Sequence, residues 1–503
     1  MAEKVTTQIQ ATGGRVLLLF LLFLVALYAF VSAGFPAFAA VCALPLIVFF
    51  AYAAFKWKMM AFWTLCIANY FIQTKGVTIP IPASLPNEML QLLIIGIAII
   101  DIRYAPHFER ALNLMLFAHL IWVVFCIIEV LNDTCGLGIN IPGWYSLTRM
   151  MAFQILYIFL VFTICIDSPE TLVKYLRFWA VLALISVFWT WRQQTFGLNT
   201  PERIWFETRG RGTHLVNGIM RYFSTFSDAA NYGCNAAGTA LTFFVIAITT
   251  KFKWDRYFFL ITAILVTWGM FASGTRTAMF CMIAGFGVFI VLSKSFRIAI
   301  PVSILFGIAM FILVFTNIGQ GNSQIRRMRS AFNKDDASMG VRDINKESIR
   351  KYIKDAPWGI GYGASFDNVP ANNKYNKLSK IPPDSEYVFI WVHAGPIGLT
   401  VFLISSAIMF LGGCYIVMFR LKSRALIGIG GGFCGAFASI QLGGYANQVL
   451  MQFPNCLIFY GGLTIVYLLP YIEPAWIEYE NNILAKQEEK KRLKLEKKLA
   501  SRV

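Results

Sequence analysis

The chain has 503 residues, 57% of them hydrophobic and 14% charged, with a formal net charge of +18 and a mean hydropathy of +0.62. Soluble domains carry about 25% charged residues, so this composition excludes a soluble enzyme, a disordered chain and a disulfide-held scaffold. It reads as a polytopic membrane protein. Nine of the ten cysteines (Cys42, Cys66, Cys126, Cys165, Cys234, Cys281, Cys414, Cys434 and Cys456) lie in apolar runs, where a thiol behaves as a small hydrophobe. Only Cys135 lies in a connection. With no C-x-x-C and no His/Cys cluster, neither a metal nor a cofactor is expected.

Fourteen apolar runs, most about 16–22 residues long, suit helices across a hydrocarbon core of about 30 Å. They fall at 16–33, 37–55, 59–73, 88–101, 111–131, 148–166, 171–191, 229–249, 257–272, 276–293, 297–317, 386–410, 423–441 and 454–471. The expected fold is therefore an all-α polytopic integral membrane protein of about fourteen transmembrane helices, with a large external loop between helices 11 and 12.

Lys and Arg set the orientation. With the N-terminus in the cytoplasm, the inside connections hold Lys56/Lys58, Arg103/Arg110, Lys174/Arg177, Lys251/Lys253/Arg256, Lys294/Arg297 and Arg420/Lys422/Arg424. The short outside connections are nearly free of basic residues; Lys75 is alone in 74–87. This placement, between membrane spans, argues against nucleic acid as the partner of the positive charge. The chain then divides into a cytoplasmic N-terminus (1–15), N-terminal transmembrane helices (16–191) and a basic external segment (192–228). Further helices (229–317), the large loop (318–385), the last helices (386–471) and a basic cytoplasmic helical tail (472–503) follow. Two external segments break the charge rule, 192–228 and 318–384. Long loops translocate regardless of charge, but their arginines suit either lipid headgroups or a phosphorylated substrate, whose oxygens match the guanidinium fork.

Four external segments carry polar residues suited to chemistry. Ser273-Gly274-Thr275-Arg276-Thr277-Ala278 joins the ninth and tenth runs. Its shortness sets Ser273 or Thr275 at the N-cap of the tenth helix, and a helix N-terminus beside a guanidinium attracts anions. A capped helix whose Arg snorkels to the interface is the plainer reading. Arg221 to Gly233 leads into the eighth run, with Asp228 as a candidate cap and Arg221 just above it. Interfacial aromatics with a single cap would look the same. Within the large loop, Gly359, Gly361 and Gly363 alternate, which lets backbone approach a ligand closely. Pro382-Pro383-Asp384-Ser385-Glu386-Tyr387 enters the twelfth run, and His393 shares the helix face of Glu386 about 10 Å deeper. Asp384 and Glu386 are acids at the outer surface, where a base could act on a sugar hydroxyl. His393, beside Gly395-Pro396, equally suits packing.

In this order the segments resemble those of the bacterial O-antigen ligase and O-antigen polymerase superfamily. Its members carry an Arg-rich stretch ending in P-N-x-x-G, then S-x-(S/T)-R-x-A at a helix start. A large periplasmic loop with P-x-x-G-x-G-x-G follows, then a loop-exit motif before a Gly-Ile/Leu-Gly helix. The matches here are Arg221 to Gly233, Ser273 to Ala278, Pro357 to Gly363 and Asp384 to Gly398, within about 215–400. The resemblance implies a metal-independent glycosyltransferase of polysaccharide or lipopolysaccharide biosynthesis, in the inner membrane, facing the periplasm. Its donor would be an undecaprenyl-diphosphate-linked glycan, and its acceptor a lipid-linked repeat unit, lipid A-core or a protein hydroxyl. Arg221 and Arg276 would hold the diphosphate, with Arg211 and Arg342 as further basic candidates. Ser273, Thr275, Asp228, Tyr362 and Tyr387 are the remaining substrate-contact candidates, and the base stays open among Asp384, Glu386 and His393. Ligases carry a His at the loop exit where this chain has Asp384, whereas polymerase-type members often carry an acid. That difference tilts the resemblance toward a polymerase of O-antigen, capsule or exopolysaccharide, which would work beside a flippase and a chain-length regulator. Transport of a lipid-linked oligosaccharide or solute is the alternative from another class. It fits less well, because ionisable residues near the midplane and a repeat between the halves are not evident.

Overall fold

The computed structural model describes the chain except residues 1, 58, 77–83, 217, 330–336, 366–367, 381–384 and 501–503. For 2–16, 337–343, 490–500 and scattered positions within 18–43, 298–306 and 486–488 it describes the backbone alone. Residues 1–63 and 64–503 are two compact units. The first is dominated by α1 (Ala2–Lys56), broken at Gly34, whose φ is 76°.

Next come α2 (Met60–Phe71), α3 (Ser84–Ile100), α4 (Leu114–Ile128), α5 (Ile141–Thr148), α6 (Gln154–Cys165), α7 (Pro169–Phe196), α8 (Thr200–Trp205) and α9 (Arg211–His214). The C-terminal half comprises α10 (Ala229–Thr249), α11 (Lys253–Ala272), α12 (Arg276–Leu292), α13 (Phe296–Phe315), α14 (Ser323–Arg329), α15 (Ala337–Ile353) and α16 (Asn376–Ser379). It ends with α17 (Glu386–Tyr415), α18 (Arg424–Ala446) and α19 (Asn455–Ala500). A π-helical turn, Arg149–Phe153, joins α5 to α6, and Leu215–Val216 pairs antiparallel with Ile219–Met220.

Among the described residues, eight helices are long and apolar enough to cross a membrane: Leu114–Leu131, Ile141–Cys165, Pro169–Phe196, Ala229–Thr249, Lys253–Ala272, Glu386–Arg420, Arg424–Ala446 and Asn455–Ala485. The protein is thus an all-α membrane protein. The other expected spans fall on shorter apolar helices, Phe23–Ser32, Leu44–Lys56, Met60–Phe71, Ser84–Ile100, Arg276–Leu292 and Ile300–Phe315.

The core of the second unit is α10, α12, α18 and α19. In lipid, helices associate through close packing rather than hydrophobic exclusion, so small residues gather at contacts. A Cβ on Gly435 of α18 would sit 2.7 Å from the Gly285 carbonyl of α12, and one on Gly285 would sit 2.8 Å from the Gly435 carbonyl. One turn further on, Ser439 Oγ donates to Cys281 O at 2.6 Å. The Gly-rich sequence of α18 therefore brings α12 against it backbone to backbone.

The connections of this unit separate to two ends. At one, Arg177 grips Asp255 with two bonds of 2.9 and 3.0 Å, Lys251 pairs with Glu480 at 2.7 Å, and Glu473 accepts from the Lys422 and Ser423 N–H groups. At the other, the segments 221–231, 273–277 and 447–455 meet the start of α17. Replacing Gly435 by Leu should lower the thermal midpoint in detergent, since overpacking costs about 1–3 kcal/mol. Gly287 has open space where its Cβ would lie, so Gly287→Leu should leave the midpoint unchanged.

Candidate active site

The site is built around the turn between α11 and α12. Gly274 there has a φ of 58°, a conformation that glycine adopts without penalty. Ser273 Oγ donates to Met270 O and accepts from Thr275 N–H, which pins the turn. Thr275 is the N-cap of α12 but makes no side-chain cap bond. Its hydroxyl is turned the other way, donating to Ala229 O at 2.7 Å and accepting from Arg221 Nη2 at 3.1 Å. Gly233 permits this approach of α10, because a Cβ there would meet Ser273 Oγ and Thr275 Cβ inside 3.0 Å.

Three guanidiniums converge on this turn. Arg221 also donates from Nη1 to Thr213 O at 2.8 Å, while its buried Nε has no hydrogen-bond partner among the described residues. Arg327, on α14 of the large loop, donates from Nε to Gly274 O at 2.7 Å. Burial, then the charges of Arg221 and Arg276, push the Arg327 guanidinium down to about 10. Burial and, more weakly, Arg276 also lower Arg221, while Asp228 opposes them. A cation whose charged form is disfavoured by its neighbours marks a site with excess positive charge.

Among the described residues, the carboxylate near this cluster, Asp228, is already engaged. Asp228 caps α10, accepting from Ala230 and Asn231 N–H at 2.8 and 2.9 Å, and takes the Ser227 hydroxyl on its other oxygen. It therefore orders the helix start, the cap expected of it. His214 completes the cap. Its Nδ1 lies 3.1 Å from Gly210 O, an acceptor only, so Nδ1 carries the proton and Nε2 accepts from Ala229 N–H at 3.1 Å. Burial, then Arg221, push His214 down to about 4. Lys75 donates to Ser227 O and lies 4.0 Å from the centre of the Trp205 ring. Burial lowers its ammonium to about 8 against the pull of Asp228.

A polar network leads from this helix start to the connection before α19. Asn231 Nδ2 donates to Phe453 O, Gln452 Oε1 and Ser227 Oγ, and Asn455 Nδ2 donates to Asn231 Oδ1 at 2.6 Å. Glu386, 3% exposed, accepts from Leu450 N–H at 3.1 Å. The acid expected at the outer surface is instead inside, holding this connection in place. Tyr387 donates to Gln441 on α18 at 2.9 and 2.8 Å. Arg211 pairs with Glu207 at 3.0 Å and its side chain is 64% exposed. The Arg342 side chain and Asp384 lie outside the described residues.

The glycine motif of the large loop meets the backbone of α17. Gly395 in α17 has a φ of 66°, and Pro396 has no N–H to give Val392 O. Ile360 N–H donates to that carbonyl and Gly361 N–H to His393 O, both at 2.9 Å. Gly359, with a φ of 74°, fits so closely that a Cβ would lie 2.5 Å from Gly395 N. The loop thus docks backbone to backbone on the kinked helix. Beside this junction a cavity of about 650 Å³ opens, with His393 and Tyr362 in its wall. Tyr362 itself is buried, its hydroxyl 3.6 Å from Cys126 Sγ.

Residues 260–403 match the family model described as O-antigen ligase. This stretch belongs to the O-antigen ligase family. No curated protein matches the chain. The O-antigen ligase stretch holds Ser273 to Ala278, Arg327, the glycine motif, Glu386 and His393. Arg221, Asp228 and Lys75 precede it, so the cluster joins the family segment to chain outside it. The chain is accordingly a membrane protein with a stretch similar to the O-antigen ligase family.

Lys75, His214 and the 447–455 connection were not singled out from sequence, whereas Arg327 belongs to the basic large loop expected to meet the donor. For the 447–455 connection, the signal was present: Asn447, Gln448, Gln452 and Asn455 crowd one external connection. For Lys75, being alone in its connection hid it. The native state holds His214 neutral, so its contribution to stability is full above the unfolded value near 6.5 and lost as pH falls toward about 4. A shift of that size corresponds to about 3 kcal/mol. Unfolding midpoints across this window should fall with pH, and His214→Gln should flatten part of the slope.

Proposed function

We propose that the protein transfers a glycan from an undecaprenyl-diphosphate carrier to an acceptor hydroxyl at the periplasmic face of a bacterial inner membrane. The observation that carries this is the convergence of Arg221, Arg276 and Arg327 on the Gly274 turn, where Asp228 is engaged as a helix cap. The orientation rests on the basic connections gathered at the opposite end, by the positive-inside rule. Fourteen crossings with both termini inside would satisfy that rule, with 318–385 as the periplasmic loop.

In this scheme the guanidiniums and Lys75 hold the donor diphosphate, and the unengaged cap of α12 faces the same charge. As the bond from the anomeric carbon to the diphosphate breaks, negative charge builds on the leaving oxygen. Preorganised donors aimed there are worth about 2.7–4 kcal/mol each in comparable sites. Glu386 is committed to the Leu450 N–H and serves the scaffold. His393 suits the base better, because Nδ1 donates to Phe389 O at 3.0 Å, which leaves the lone pair on Nε2. Such a base contributes about 10²–10⁴-fold.

The acid Asp384 at the loop exit favours repeat-unit polymerisation. A second reading, single transfer to lipid A-core as in a ligase, is favoured by His393 in the cavity wall. Purified protein in nanodiscs, given undecaprenyl-diphosphate-linked repeat unit, should yield a ladder of lengthening glycans on a gel. Arg276→Ala should abolish it, and Arg276→Lys, which keeps the charge but loses the fork, should slow it about tenfold or more. One discrete product that needs added lipid A-core would identify the ligase reaction instead. Full activity in Arg276→Ala would refute the transferase mechanism.

A further inference from the structure

Away from the Gly274 turn, the far halves of α12 and α17 leave an apolar groove of about 670 Å³ between them. Both helices pack on α18, α12 through Gly285 and α17 through Phe410 against Phe437. The α12 wall falls back at Gly287, where a Cβ would find open space. Val291 and Leu411, in the same groove, are 69% and 62% exposed. In a bilayer such a surface faces acyl chains. A concave gap touches more atoms of one chain than a convex face does, and dispersion contacts add up with their number.

The groove has the depth of one leaflet. Its lining runs from Ala284 to Leu292 on α12 and from Phe410 to Phe419 on α17, about 12 and 14 Å along the helices, against about 30 Å for a whole hydrocarbon core. Its foot lies at the basic end of the unit. Lys294, just past Leu292, donates from Nζ to Leu421 O at 3.1 Å and ties the two helix ends together there. Arg420 and Arg424 stand exposed on the connection that follows α17, where Glu473 accepts from the Lys422 and Ser423 N–H groups. Tyr415 and Phe419 are exposed in the groove wall, their ring centres 5.2 Å apart. Tyrosine concentrates at the level of lipid headgroups.

We infer that this groove binds an anionic phospholipid of the leaflet at the basic end, an acyl chain laid along Gly287 and the phosphate against Arg420 and Arg424. Charge chooses among the lipids. Acyl chains are common to all of them, whereas basic pockets between membrane helices select anionic headgroups. A carrier held by its diphosphate at the Gly274 turn has its headgroup at the opposite end of α12 and is a different occupant. The phospholipid fills the gap between α12 and α17 and braces the two helices against each other, without entering a reaction. The site needs only the groove and its basic foot, and stands apart from the transferase reading.

Native mass spectrometry of the whole chain, released from detergent, counts the lipids it retains. The probes are phosphatidylglycerol, phosphatidylcholine with the same acyl chains, and undecaprenol. The wild type should retain one phosphatidylglycerol at concentrations where phosphatidylcholine is lost. Gly287→Trp fills the groove, and Arg420→Glu combined with Arg424→Glu reverses the charge at its foot. Each should cut retention about fivefold or more, the loss expected from removing a cation beside an anionic headgroup. Lys253→Glu combined with Arg256→Glu makes the same charge change on another connection of this end and should leave retention within about twofold. A cooperative unfolding transition in lipid-free detergent reports that each variant is folded. Equal retention of the two phospholipids, or undiminished retention in either groove variant, would overturn the inference. So would an equal loss in the Lys253 and Arg256 variant, which is diffuse surface attraction, or displacement of phosphatidylglycerol by undecaprenol, which would make the groove a polyprenyl site.

Discussion

Like charges held together at a buried turn are the constraint on which the rest depends. Burial, then the charges of Arg221 and Arg276, disfavour the charged form of Arg327. The fold sustains this arrangement by fixing each partner through the backbone. Arg221 is tied to Thr213 O, Arg327 to Gly274 O, and Thr275 to Ala229 O. Asp228 and His214 satisfy the start of α10, so that helix end does not compete for an anion. Among the described residues this leaves an excess of positive charge beside the start of α12, which the proposed diphosphate would relieve.

The second constraint is the docking of the large loop. Pro396 breaks the hydrogen-bond ladder of α17 and frees the Val392 carbonyl. The loop supplies the missing donor from Ile360, and from Gly361 to His393 O. Glycine is required at 359 and 395 because two backbones touch there. The same loop, through Arg327 on α14, reaches the arginine cluster, and through Lys346 it touches Tyr445 at the end of α18 at 3.0 Å. One loop therefore contributes to both the cluster and the cavity wall.

Much of this was legible in the sequence. The apolar runs and the Lys/Arg asymmetry gave the helices and their two ends, since both follow from local composition. Ser273 to Arg276 and Arg221 to Asp228 were readable because a short turn between long helices fixes its own geometry. Contacts between distant segments were not readable. Nothing local says that Arg327 reaches the Gly274 carbonyl, that Lys75 lies over Trp205, or that Glu386 turns inward to Leu450. The glycine motif was recognised, but its approach to the α17 backbone was not readable, because alternate glycines announce close backbone approach without saying to what. For Arg211 the structure shows a local partner, Glu207 at i−4.

The central claim is that the Gly274 turn is a diphosphate site. Binding only to the native state raises the unfolding midpoint in proportion to the logarithm of ligand concentration, so thermal unfolding with undecaprenyl diphosphate against undecaprenol isolates the headgroup. Undecaprenyl diphosphate should raise the midpoint progressively, undecaprenol should not, and Arg327→Ala should remove most of the rise. Equal shifts with the two lipids, or an undiminished shift in Arg327→Ala, would contradict the claim.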